Sequence, residues 1–189
     1  MTNQFSADFI DQLPFGRGKA YLANANHLVN AILGGWQVTG IVRADSGFPG
    51  NVGDGVGWPT VWDFNGNATP TGALPSTSNR KLGNVFHNPA AAFAAFRPTY
   101  AGDIGGRNNV RGMLLFNLDG GLDKTFTLFM LHDNPNNLEF RVEGFNLTNS
   151  APLDIGSATM ALDNPSDFGL YTRTLTDARQ FQAALNFTF

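Results

Sequence analysis

The chain has 189 residues, a formal charge of −3 and a pI near 5.4, with no run of Lys or Arg. It therefore lacks an electrostatic footprint for nucleic acid or for an anionic membrane surface. Charged residues make up only 14%, whereas 22 Gly, 10 Pro and 17 Phe point to turn-rich β-structure, and the absence of cysteine excludes disulfides, thiolate metal sites and a Cys nucleophile. No stretch has the run of apolar residues that a transmembrane helix needs. The opening Met1-Thr2-Asn3-Gln4 lacks the basic and apolar regions of a signal peptide, so either the chain is not exported or its beginning has been lost.

Alternation at period two, which sends successive side chains of a strand to opposite faces, organises the rest. The first segment, Phe5 to Leu13, sets Phe5, Ala7, Phe9 and Leu13 on one face, interrupted by Asp11. After a Gly-rich turn, Leu22, Ala25, Leu28, Val29 and Ile32 recur at helical spacing, which predicts a short helix near 21–33. Trp36 to Asp45 alternates again, with Trp36, Val38, Gly40 and Val42 against Gln37, Thr39, Arg43 and Asp45, and Ile41 breaking the pattern.

From Ser46 to Gly112 runs a long loop rich in Gly, Pro, Asn and Trp, with one helix expected at Pro89 to Phe96. A structureless loop of that length argues against a compact soluble domain. Met113 to Thr125 is read as a strand in which Phe116, Leu118, Gly120 and Leu122 oppose Asn117, Asp119, Gly121 and Asp123, with Lys124 closing the apolar row as a strand-end lysine that snorkels to an interface. A short connection is expected from Phe126 to Asn137. In the strand from Leu138 to Leu147, Leu138, Phe140 and Val142 oppose Glu139, Arg141 and Glu143, so the charged side must see water. A second long loop, Thr148 to Ala178, leads to a last strand with Phe181, Ala183, Leu185, Phe187 and Phe189 on one face.

Two all-β architectures fit five such segments. In a soluble β-sandwich binding module, of a carbohydrate-binding type for example, the apolar rows face a core. In an antiparallel membrane wall they face lipid, and if Phe189 ends at the periplasmic side, the two longest loops lie outside the cell and the shorter connections inside, as in outer-membrane barrels.

Several blocks favour the second. Leu13-Pro14-Phe15-Gly16-Arg17-Gly18-Lys19, then Gly34-Gly35-Trp36-Gln37-Val38-Thr39-Gly40-Ile41 with Ser46-Gly47-Phe48-Pro49, resembles the late barrel region of Oar-like TonB-dependent receptors. Gly106-Arg107-Asn108-Asn109-Val110-Arg111-Gly112 followed by Phe116-Asn117-Leu118-Asp119 is similar to the same family, as is Phe140-Arg141-Val142-Glu143-Gly144-Phe145-Asn146-Leu147-Thr148-Asn149. The resemblance implies a partial transmembrane β-barrel of the cell outer membrane, taking part in uptake of a siderophore, carbohydrate or peptide. It implies that Phe116, Leu118, Leu122, Leu138, Phe140 and Val142 face lipid and that Asn117, Asp119, Glu139, Arg141 and Glu143 face the lumen. Phe181, Leu185, Phe187 and Phe189 resemble the terminal signal read by the barrel-assembly machinery. The implied partners are that machinery, outer-membrane lipid, the remaining strands and plug of a full receptor and, through the plug, the TonB system.

Such a receptor has about 22 strands, and five cannot close even a barrel of about eight, so the chain is expected to be the C-terminal part of a longer one. Catalytic chemistry is not expected, nor a cofactor. His27, His87 and His132 fit no metal motif, and Asp45-Ser46-Gly47 lacks the flanking glycine of a nucleophile elbow. Gly53-Asp54-Gly55-Val56-Gly57 continues into Trp58-Pro59 without a helix to hold phosphate. Asp163, Asn164 and Asp167 fit no EF-hand and read as turn residues; Trp58, Trp62 and Tyr100 are loop aromatics able to stack on a ligand, and Trp36, Phe5 and Phe189 are candidates for interfacial aromatic girdles.

Overall fold

The computed structural model describes residues 3–55, 66–77, 83–131 and 134–189. Trp58, Trp62, His132 and the Val56-Gly57 end of the glycine-rich run lie outside the described residues. In chain order the elements are β1 (Gln4–Gln12), α1 (His27–Leu33), β2 (Trp36–Asp45), β3 (Pro49–Gly50), β4 (Thr69–Pro70), α2 (Pro89–Ala94), β5 (Phe96–Arg97), β6 (Val110–Arg111), β7 (Leu115–Leu131), β8 (Asn134–Phe145) and β9 (Gln180–Thr188).

Five of these strands form one antiparallel sheet in the order β1-β2-β7-β8-β9, an up-and-down meander with β1 and β9 as its two edges. Up-and-down order needs no crossover, so the length of each connection is free to vary. The segments joining β2 to β7 and β8 to β9 leave from one end of the sheet, and those joining β1 to β2 and β7 to β8 from the other.

The strands β7 and β8 are longer than alternation suggests, pairing from Gly120 with Gly144 through to Leu131 with Asn134. A register shift between Thr127 and Phe129 breaks the period-two pattern there, which is why the expected connection of residues 126–137 proves to be mostly strand. Lys124 is therefore well inside β7 and not at its end. The helix near 21–33 is shorter than its periodicity suggests: Leu22 adopts φ 61°, and α1 begins only after Asn26, whose side chain accepts a hydrogen bond from the Val29 N–H as an N-cap.

By contacts the chain divides into two compact units. One, comprising Phe5–Ala44, Phe116–Ser150 and Ala178–Phe189, is the five-stranded sheet with α1. The other is built from Met1–Gln4, Asp45–Leu115 and Ala151–Asp177, so the two long connections fold with each other and are not structureless. Its core holds Val52, Val85, Phe86, Phe96, Val110 and Phe168, with the Phe86 and Phe168 rings stacked 5.4 Å apart. The helix expected at Pro89 to Phe96 forms as α2, capped by Asn88, which accepts from the Ala91 N–H at 3.0 Å.

Pairing of β3 with β6 ties the start of the first long connection to its end. Gly47 makes this possible: its φ is +92°, and a Cβ there would collide with the backbone carbonyl of Gly112.

Candidate functional site

Residues that pair directly across an antiparallel sheet share a face. The register aligns Leu122 with Val142 and Ala183, Lys124 with Phe140 and Leu185, and Phe126 with Leu138 and Phe187. Trp36 joins this face from β2, edge-on to Phe140 at 6.2 Å between ring centres. By strand parity Phe116 and Leu118 belong to it as well. Every apolar residue singled out on β7, β8 and β9 thus lies on one side of one sheet.

The face is exposed. Phe181 and Leu185 on β9 are 64% and 69% accessible, and Phe5 and Phe9 on β1 are 58% and 47% accessible. Among the described residues no second sheet of more than two strands exists to cover it, so the sandwich alternative is not what the fold builds. A continuous apolar surface of this size in water would be an aggregation hazard.

On the opposite side Gly121 pairs with Glu143 and Gln182, Asp123 with Arg141 and Ala184, and Thr125 with Glu139 and Asn186. Arg141 reaches Glu139 at 2.6 Å and Glu143 at 3.9 Å, and the Gln182 amide donates to Glu143. Arg141 thus offsets part of the negative charge of Glu139 and Glu143 along β8 on a solvated wall. By parity Asn117 and Asp119 stand here too, and Asp119 accepts from the Asn146 N–H at 2.7 Å, securing the turn that leaves β8. That turn explains part of the Phe140 to Asn149 motif. Asn146 and Asn149 take φ of 52° and 49°, which asparagine tolerates well, and the Asn146 side chain both donates to and accepts from the Ser150 backbone.

A hollow of about 490 Å³ opens against Thr39, Gly121 and Glu143, with Ile10 and Ile41 at its margin. Gly121 provides the floor, since a Cβ there would crowd the Thr39 hydroxyl.

A family model described as an outer membrane beta barrel domain matches residues 1–182. The chain belongs to this family. The barrel domain is accordingly an outer-membrane protein, and its five-stranded sheet is part of a barrel wall that is open between β1 and β9. No curated protein and no solved structure matches it.

Other sequence candidates find ordinary places in the barrel domain. His27 and His87 are exposed, and the Asn164 amide contacts the Asp167 carboxylate at 3.3 Å as turn residues do. The Arg97 guanidinium lies 4.3 Å from the centre of the Tyr100 ring. Phe5 and Phe189 are exposed near opposite ends of the sheet, while the Trp36 indole donates to the Ile32 carbonyl at 2.8 Å. Alternation did not signal the seat of Lys124 or the packing of Leu147. A Cβ at Gly120 or Gly144 would meet the Leu147 side chain, so these two glycines on the apolar face make room for it.

Proposed function

We propose that the chain supplies closing strands to an Oar-like TonB-dependent receptor that takes up a scarce nutrient, a siderophore, carbohydrate or peptide, across the outer membrane. The observation that carries this reading is the two-faced register: apolar rows suited to lipid on one side, and on the other the Glu139, Arg141 and Glu143 row suited to a water-filled lumen. The ordered motif blocks in β2, β7 and β8 add the receptor type. In this reading Phe181, Leu185, Phe187 and Phe189 form the signal for the assembly machinery, and the unit built from the long connections meets the nutrient outside the cell. The sheet's share of the work is structural, with energised transport residing in a plug and its TonB partner.

Disrupting the gene, disrupting TonB, and disrupting both should give the same growth defect when the nutrient is limiting, because the two act in one step. An added defect in the double disruption would reject TonB-dependence while leaving the outer-membrane barrel intact.

A further inference from the structure

Lys124 interrupts the apolar face, and the way it is accommodated assigns a role to the helix beside it. The side chain is 4% exposed, its ammonium donates to the backbone carbonyl of Ala31, and it lies 5.4 Å from the centre of the Trp36 ring and 4.8 Å from that of Phe126. The Trp36 indole takes the neighbouring Ile32 carbonyl. Both carbonyls belong to the last turn of α1, where a helix has no backbone partners left and where a cation meets the negative end of its dipole. Since Lys124, Trp36 and Phe126 stand on the apolar face, α1 is docked onto that face.

The helix is amphipathic in the reverse of the usual sense. Asn30 turns back toward the connection, where its Oδ1 accepts from the Arg17 N–H at 2.7 Å, while Leu28, Ile32 and Leu33 are 74%, 62% and 49% exposed. None of the α1 residues is buried. Leu28 and Ile32, four residues apart, share one side of the helix. In water such a helix has no reason to hold its shape, because its tertiary contacts cover no apolar stripe.

We propose that α1 is a lipid-embedded helix lying outside the barrel wall, at the rim where β9 ends, with Leu28, Ile32 and Leu33 among the acyl chains. The occupant follows from continuity: the exposed side chains extend the surface of Phe140 and Leu185, which on the proposed function faces lipid, and on that reading this inference rests. Lys124 then spends no charge on the hydrocarbon, because its ammonium is sealed beneath the helix that it caps.

The chain has no cysteine, so a nitroxide can be attached at one chosen position. Leu28→Cys, Leu185→Cys and Glu143→Cys would each be labelled in the assembled barrel, reconstituted in phosphatidylcholine vesicles. Collision rates with oxygen, which partitions into lipid, and with a polar nickel chelate would then be compared. The expected result is that the label at Leu28 favours oxygen as the label at Leu185 does, with the ratio reversed at Glu143. If Leu28 favours the nickel chelate while Leu185 favours oxygen, the helix lies in water and the inference is overturned with the wall assignment intact. Shielding of Leu28 from both reagents would also overturn it, showing a protein cover instead of lipid. If Leu185 itself favours the nickel chelate, the reading of the apolar face fails and the inference fails with it.

Discussion

At the scale of single residues, neighbours on one strand should respond in opposite ways. Val142→Arg would put a guanidinium into the row of Leu122 and Ala183, at a cost of roughly 2–4 kcal/mol if the row lies near mid-membrane depth. Glu143→Arg would remain on the solvated face and should be far milder, although it gives up the Gln182 contact and adds repulsion with Arg141. Urea unfolding of the assembled barrel in vesicles measures both, and equal losses would sink the face assignment. Glycines sort the same way by what surrounds them. Gly47→Ala meets the Gly112 backbone at a positive φ and should cost about 1–3 kcal/mol. Gly40→Ala meets only the Phe9 ring, a half-exposed side chain on an edge strand that can swing aside, so thermal stability should fall much less there.

Among the elements, β5 and the turn after it form a local unit with a pH response of known sign. Asp103 accepts from Arg97 at 2.7 Å and from the Tyr100 N–H at 3.0 Å, and these bonds, the Arg97 one foremost, hold its carboxyl below the ordinary 3.8. A carboxyl depressed by folding stabilises the folded state above its unfolded pKa and loses that contribution as pH falls through the lower folded value. The protection of the Tyr100 amide hydrogen, its exchange rate compared with that of an unstructured peptide at the same pH, should therefore be present near neutrality and be lost below pH 3.8, and Asp103→Asn should abolish that dependence. Persistence of the acid response in the variant would assign it to another group.

The elements also show what a sequence reveals and what it hides. Strand faces were legible because period two survives in β2, β8 and β9, and α2 because Asn88-Pro89 announces a helix start before a run of Ala. The far ends of β7 and β8 were not legible, since the shift at Thr127 moves the pattern out of phase and Asn134-Pro135-Asn136-Asn137 has turn composition although it pairs with β7. The folded unit made by the long connections escaped for another reason. Val52, Val85, Phe86 and Phe168 come from scattered positions with no period, joined through isolated bridges such as Gly53 with Asn67 and Asn84 with Leu170. Lys124 reads as an anomaly in any pattern of faces, and its helix cover is a tertiary fact that spacing does not encode.

For the molecule as a whole, Phe189 is 90% exposed and stacks on Phe187 at 5.9 Å, so its loss should leave the sheet's own packing nearly intact. Deleting it should nonetheless lower the amount of assembled, heat-modifiable barrel in outer-membrane fractions; unchanged amounts would reject its role as an assembly signal. The strand order carries a last consequence, one of parity. In an antiparallel meander of five, β1 and β9 run in the same direction. In a wall where every neighbouring pair is antiparallel, as in bacterial single-chain barrels, the total is even, and five such strands would need an odd number of others between β9 and β1. A ring of identical copies of this sheet, turned about an axis normal to the membrane, would place β9 parallel to the next β1 at every junction. A wall antiparallel throughout could therefore not be made of this sheet alone repeated around its axis.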